Sequence, residues 1–150
     1  MCVSVIRVSA WNDEPGMVEL PDGRRIRGTG LGHPRGDIDA PDFAVYLLER
    51  DPGDQGWEYR WVRCPDFGIP ASTSDALSAL HEAHERARDE RVEVACLGGV
   101  GRTGMGMSVL AVIAGISPEE AVAWTREHYR PDAVETPEQE RWIRDAATLL

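Results

Sequence analysis

The sequence predicts an α/β fold, a central mixed or parallel sheet flanked by helices, and three observations carry that expectation. The first two-thirds of the chain alternates β-prone runs with Gly/Pro turns, and the last third is dominated by helical patterns with strong capping signals. Between them lies a short apolar run, residues 92–97, followed at once by a glycine-rich loop that opens a helix. In such folds ligands bind beyond the carboxyl ends of strands, so residues 92–114 are the expected functional centre.

In chain order, residues 3–8 place apolar side chains among Ser4 and Arg7 and read as a strand. Residues 17–20 and 24–28 flank Pro21-Asp22-Gly23, a hairpin spacer, and residues 28–36 form a Gly-rich loop. Residues 43–48 and 57–62 are β-prone runs around Asp51-Pro52-Gly53-Asp54-Gln55-Gly56, which reads as a second hairpin. Ser72 or a neighbour can N-cap a helix running to about Glu90, with Ala76, Leu77, Leu80, Ala83 and Ala87 on its apolar stripe. After the strand at 92–97, a helix from about Thr103 is apolar enough to be internal, with Gly115 as its C′ residue. Ser117-Pro118-Glu119-Glu120 and Thr136-Pro137-Glu138-Gln139 each match a capping box with Pro at the first helical position, so two further helices are expected.

The 150 residues, 42% hydrophobic and 28% charged, suit one self-sufficient domain over residues 1–150. Sixteen basic residues, all arginine, against 26 acidic ones give a net charge of −10, a field that repels polyanions and anionic lipid. This argues against nucleic-acid and membrane partners. No apolar run approaches the ~20 residues that cross a bilayer, and no signal peptide opens the chain. Cys2, Cys64 and Cys96 are an odd number without a C-x-x-C pair, which fits neither a disulfide scaffold nor a zinc site; cytoplasm is the expected compartment.

The loop reads Cys96-Leu97-Gly98-Gly99-Val100-Gly101-Arg102-Thr103-Gly104. Glycines let consecutive N–H groups turn inward, and with the helix N-terminus they make a concave anion site suited to a phosphate. Arg102 adds a bidentate fork for two phosphate oxygens. Cys96 at the base of this positive cradle is placed as a nucleophile, because such surroundings favour a thiolate. The loop is neither a Walker loop nor a dinucleotide fingerprint, since it has no G-K-[ST] and the wrong glycine spacing.

Cys-x5-Arg-Thr-Gly, with Gly-x-Gly before the Arg, resembles the loop of cysteine-dependent protein tyrosine and dual-specificity phosphatases. Cys64-Pro65-Asp66-Phe67-Gly68-Ile69-Pro70 is similar to that family's mobile W-P-D-F-G-x-P loop, whose Asp is the general acid. The segment from Arg130 to Glu140 resembles the part of the family whose Gln positions the hydrolytic water. The chain departs from the pattern twice: Ala95 stands where the family usually has His, and Cys64 where it has Trp.

The resemblance implies a protein tyrosine phosphatase-like fold and two displacements at phosphorus. Cys96 attacks, residues Leu97, Gly98, Gly99, Val100, Gly101 and Arg102 hold the phosphate oxygens, and Asp66 is acid and then base. Thr103 serves the departing sulfur and Gln139 orients the water. It implies a phosphorylated protein as substrate, with neither metal nor cofactor. Gln139 has a rival reading as the N3 residue of its capping box. Arg126 and Arg130 either face the pocket or offset a helix dipole, the latter preferred for Arg126. His81 and His84 stand i, i+3 on a charged helix and read as a solvated face rather than a metal pair. Two alternatives stay open: a phosphatase of a non-protein phosphomonoester such as a phosphoinositide, and a phosphopeptide-binding module that does not turn over. The uncharged loop positions Leu97, Gly98, Gly99 and Val100 favour a protein substrate over the phosphoinositide.

Overall fold

A computed structural model describes residues 11–150; the strand expected at residues 3–8 and Cys2 lie outside the described residues. Five strands, β1 (Met17–Glu19), β2 (Arg25–Gly30), β3 (Phe43–Leu48), β4 (Glu58–Arg63) and β5 (Val92–Cys96), form one sheet in the order β1-β2-β5-β3-β4. The β1–β2 pair is antiparallel and every other pair is parallel, so the sheet is mixed. The turn at Pro21-Asp22-Gly23 closes as expected, with Gly23 at φ 90° and Leu20 N–H donating to Arg24 O at 2.7 Å.

The second expected hairpin is not one. β3 and β4 run parallel, Phe43 opposite Glu58 and Leu48 opposite Arg63. Asp51, Pro52 and Gly53 belong to a return segment that retraces the strand. Nine residues, 49–57, reach about 30 Å when extended, more than the ~20 Å length of a six-residue strand. The segment is pinned where it returns: Asp51 accepts from Tyr59 Oη, and Trp57 Nε1 donates to Tyr46 Oη at 2.8 Å.

Four helices follow the strands: α1 (Thr73–Arg86), α2 (Gly101–Ile113), α3 (Ala121–His128) and α4 (Pro137–Ala147). All four contribute to one apolar core with Ile26, Phe43, Val45, Leu47, Val62, Val92 and Val94, the alternate residues of a single sheet face. The opposite face carries Ala44, Tyr46, Leu48 and Ala95 under Leu31, Trp57, Tyr59 and Trp61, and Cys96 at the end of β5 packs against this second cluster. Helix α2 is buried from Gly101 to Ala111, which explains why its sequence is apolar on every side.

Ser72 caps α1 by accepting from Asp75 N–H at 3.1 Å, and the five stripe residues are all buried. Gly115 follows α2 at φ 118°, as expected of a C′ residue. At the third helix the expectation fails by one turn. Ser117 Oγ bonds the Glu120 carboxylate, and Glu120 N–H reaches only Ser117 O, a tight i→i−3 turn from which α3 starts at Ala121. His84 does not lie on a solvated face either: its Nε2 is 2.6 Å from Asp22 Oδ2 and joins α1 to the β1–β2 turn.

Candidate active site

β5 is buried at all five positions and paired on both edges, so its last residue, Cys96, is held at the carboxyl end of the sheet's middle strand. The chain then turns through residues 97–100 into α2. Cys96 is 2% exposed, and its Sγ accepts from Gly99 N–H at 3.2 Å and from Thr103 Oγ1 at 3.1 Å. The N–H groups of Leu97, Gly98, Val100, Gly101 and Arg102 donate to no acceptor among the described residues. The loop therefore holds a set of unspent donors at a helix N-terminus, the physical requirement for binding an oxyanion.

Residues 28–30 were expected in a loop but end strand β2, Gly28 to Gly30 pairing with Val94 to Cys96. Their glycines answer a packing demand. A Cβ on Gly30 would lie 2.6 Å from Gly98 C, and one on Gly99, which has φ 76°, would lie 2.9 Å from Gly30 N. The anion loop thus rests directly on the β2 backbone. Tyr129 fastens it from α3, its Oη donating to Gly99 O at 2.5 Å, and burial pushes the phenol's pKa above its ordinary value.

Arg102, 5% exposed, donates through Nη1 to Cys64 O at 3.1 Å, and its Nη2 lies 3.4 Å from Asp66 Oδ1. One guanidinium so joins the anion loop to the 64–70 loop that carries Asp66. Asp66 and Arg102 share the lining of a cavity of about 390 Å³ with Leu48, Glu49, Arg50 and Leu97. A larger cavity of about 800 Å³ adjoins the same loop through Gly98 and Gly99, but Arg102 and Asp66 do not line it; Arg130 does, paired with Asp132. Of the two, only the smaller brings the Arg102 guanidinium and the Asp66 carboxylate together. Arg126 faces neither: it donates to Ala133 O and Val134 O at 2.8 and 2.7 Å.

The two departures from the family pattern have visible consequences. Cys64 is fully buried, and burial raises its thiol to about 12, the charge of Arg102 acting the other way. Ala95 packs on the face opposite the helices beside Tyr46, its register partner on β3.

Gln139 completes the expected capping box of α4: Oε1 accepts from Glu135 N–H and Thr136 N–H at 2.7 and 3.3 Å, and Thr136 Oγ1 accepts from Gln139 N–H. Its Nε2 donates across 71 residues to Gly68 O at 3.1 Å, in the loop that carries Asp66. One residue at the site was missed in the sequence. A Cβ on Gly101 would stand 2.1 Å from Glu135 Oε1, so this carboxylate lies over the last glycine of the anion loop. Only the Gly101-to-Glu135 contact reveals it, because Glu135 reads locally as one acidic residue before a helix.

Comparison with known proteins shows the family and the fold. Residues 41–148 match the family Protein-tyrosine phosphatase. The uncharacterized protein MJ0215 of Methanocaldococcus jannaschii is 33% identical over 122 residues, 69% of this chain and 75% of that protein. A second uncharacterized protein of the same organism, MJECL20, is 32% identical over 124 residues, 70% and 82% of the two chains. Among solved structures, Tk-PTP in its active form is similar with a TM-score of 0.73 and 28% identity, covering 91% of this chain and 99% of that one. Kinase associated phosphatase, with its catalytic-site cysteine substituted by serine, shares the fold at TM-score 0.70 and 15% identity, covering 93% and 99%.

Proposed function

Since the chain belongs to the protein-tyrosine phosphatase family, we propose that it hydrolyses phosphotyrosine in proteins, with phosphoserine and phosphothreonine as further substrates, through a phosphocysteine intermediate. The observation that carries this reading is the sulfur of Cys96 beside five unspent loop amides, with Arg102 bridging to Asp66.

In the first step Cys96 Sγ bonds to phosphorus as the P–O bond to the leaving group breaks, and Asp66 gives its proton to that oxygen. The N–H groups of Leu97, Gly98, Val100, Gly101 and Arg102 and the Arg102 guanidinium hold the three phosphoryl oxygens where charge builds. In the second step a water attacks phosphorus, Asp66 takes its proton, and the P–S bond breaks to return the thiolate. Thr103 Oγ1 donates to that sulfur. Loop amides and Arg102 supply the charge stabilisation, so the reading needs no metal or cofactor. Phe67 and Leu97, each 57% exposed, give the acid loop and the anion loop apolar surface on which an aryl ring can rest. The two buried free cysteines suit the reducing cytoplasm.

The test is turnover of an aryl phosphate and of a phosphotyrosyl peptide in excess chelator. Wild-type protein should hydrolyse both, vanadate should inhibit, and Cys96→Ser should bind the peptide without turning it over. Full activity in Cys96→Ser, or activity lost to chelator and restored by a divalent metal, would end the covalent reading. Peptide binding by the wild type without turnover would make the protein a binding module.

A further inference from the structure

Gln139 is fully buried, yet its side-chain amide meets both its own helix end and the loop that carries the general acid. The two ends do different work. Oε1 satisfies the N–H groups of Glu135 and Thr136, a local contact within one capping box. Nε2 reaches a carbonyl 71 residues away, Gly68 O, two residues past Asp66. A capping box needs only the oxygen, so the donor on Nε2 has a separate reason to be there.

The 64–70 loop contains the features of a segment held from outside. Phe67 sits at φ 60°, a left-handed conformation unusual for a bulky side chain, between Asp66 and Gly68. Inside the loop, Gly68 N–H donates to Pro65 O at 2.9 Å and Phe67 N–H to Asp66 Oδ1 at 3.1 Å. At its base, Cys64 N–H donates to Leu48 O and Ala71 N–H to Arg63 O, both at 2.9 Å. Asp66 itself is 62% exposed at its side chain, so packing does not fix it. Two side chains from elsewhere grip the backbone on either side of it: Arg102 at Cys64 O and Gln139 at Gly68 O.

We infer that Gln139 is a positioning residue for the general acid: its Nε2–H···O bond to Gly68 latches the acid loop to α4 and holds Asp66 over the leaving oxygen. The inference rests on the proposed phosphatase reading, in which Asp66 protonates the leaving group. It differs from the role the family resemblance implies, because the latch acts in the step that breaks the P–O bond, whereas water orientation acts in the step that breaks the P–S bond. In the conformation described, Oε1 accepts from two backbone N–H groups and one Nε2 hydrogen goes to Gly68 O, so backbone contacts at both ends aim the amide at the acid loop.

Gln139→Glu separates the latch from the cap. Glutamate serves a capping box as well as glutamine does, but it presents a carboxylate to Gly68 O in place of an N–H. The experiment compares wild type, Gln139→Glu, Asp66→Asn and the double variant on aryl phosphates whose leaving phenols span a wide range of basicity. It also follows the pre-steady-state release of phenol. The expected result, read at a temperature where every variant is folded, is a melting temperature lowered by the buried carboxylate and a kcat lowered roughly tenfold for the most basic leaving group and little for the most acidic one. That is a fraction of the 10²–10⁴-fold a general acid contributes. No burst of phenol should appear, and the Gln139→Glu effect should vanish in the Asp66→Asn background.

A loss equal across all leaving groups, or one that persists undiminished in Asp66→Asn, would overturn the latch. A burst of phenol followed by slow turnover would overturn it in favour of water orientation. Because Gln139→Glu lowers the melting temperature, Gln139→Met, which keeps the volume and loses both cap and latch, shows whether the leaving-group dependence follows stability or the Nε2 donor; dependence that tracks stability alone overturns the inference. The parent reading fails separately, and visibly, if wild type does not turn over aryl phosphates or if Asp66→Asn shows no leaving-group dependence.

Discussion

Thr103 Oγ1 lies 3.1 Å from Cys96 Sγ and 3.3 Å from Thr29 O, and its one proton can serve only one of them at a time. An anionic sulfur is the better acceptor, whereas a sulfur bonded to phosphorus has given up that charge. Under the proposed mechanism the hydroxyl should therefore turn to Thr29 while the phosphocysteine stands and back to Cys96 as the P–S bond breaks. Thr103→Val, nearly the same shape without the donor, should slow the second step. A rapid-quench experiment should show a stoichiometric burst of phenol, and kcat should fall about a hundredfold, as for loss of one donor to developing charge. Thr103→Ser should restore most of it. An unchanged kcat without a burst would mean that the proton stays on Thr29.

Gly30 is on β2, and its activity effect should come from backbone contact alone. Its absent Cβ would fall 2.6 Å from both Gly98 C and Leu97 O. Both are backbone atoms of the anion loop, so Gly30→Ala has no flexible side chain to push aside and must move the loop that aims the amides. A displacement of about 1 Å in such a site costs about a hundredfold in rate. The measurement is kcat/KM on an aryl phosphate beside thermal melting; activity within twofold of wild type would show that the loop can shift without losing aim. Gly101→Ala is the informative contrast. Its new Cβ meets Glu135 Oε1, the end of an exposed side chain, and should displace only that carboxylate.

How legible this architecture is in the sequence depends on the range of the contact that defines each feature. The capping box at Thr136 and Gln139, the Ser72 cap and the Pro21–Gly23 turn are decided by residues within four positions of one another, and all form as read. The anion loop is equally local, a strand end and a helix start joined by glycines. The parallel pairing of β3 with β4 is not, because a short Asp/Pro/Gly spacer looks the same whether the chain doubles back or retraces its strand. Gly28 to Gly30 read as loop for the same reason: Tyr129 and Gly98, which require the absent side chains, are far away in sequence. The Gln139-to-Gly68 bond and the Glu135-to-Gly101 contact also join segments that only the fold brings together.

Beside the anion loop the sheet buries a charge cluster whose loss should be costly. Glu93, 1% exposed at its side chain, accepts from Arg27 Nη1 at 2.7 Å and from both Nη atoms of Arg35. Arg27 is its register partner on β2 and is 6% exposed at its side chain, while Arg35 comes from the segment after Gly30. Glu93→Gln keeps the shape but leaves the Arg27 guanidinium buried without its counter-charge. Breaking a buried pair in this way costs about 3–5 kcal/mol. Urea unfolding followed by tryptophan fluorescence checks it; a loss below about 1 kcal/mol would show that Arg27 finds other partners or water.

Alkaline pH should expose the consequence of placing cysteine at position 64. Burial raises the Cys64 thiol from 9.0 to about 12, and burial likewise raises the Tyr46 phenol from 10.0 to about 12. Both groups hold their protons more tightly folded than unfolded. Their stabilising effect is therefore fully present below the unfolded values and is lost as pH rises through the folded ones. Stability should hold to about pH 9, fall first on account of Cys64, and fall more steeply above pH 10 as the buried Tyr46 and Tyr129 phenols join. At 1.36 kcal/mol per pH unit the Cys64 interval sets an upper bound of roughly 4 kcal/mol. Cys64→Ala removes the thiol's contribution and leaves the Tyr46 and Tyr129 phenols in place. Chemical denaturation between pH 7 and 11 should show the decline beginning near pH 9 in wild type and near pH 10 in Cys64→Ala. Parallel curves from pH 9 would place the alkaline sensitivity elsewhere in the molecule.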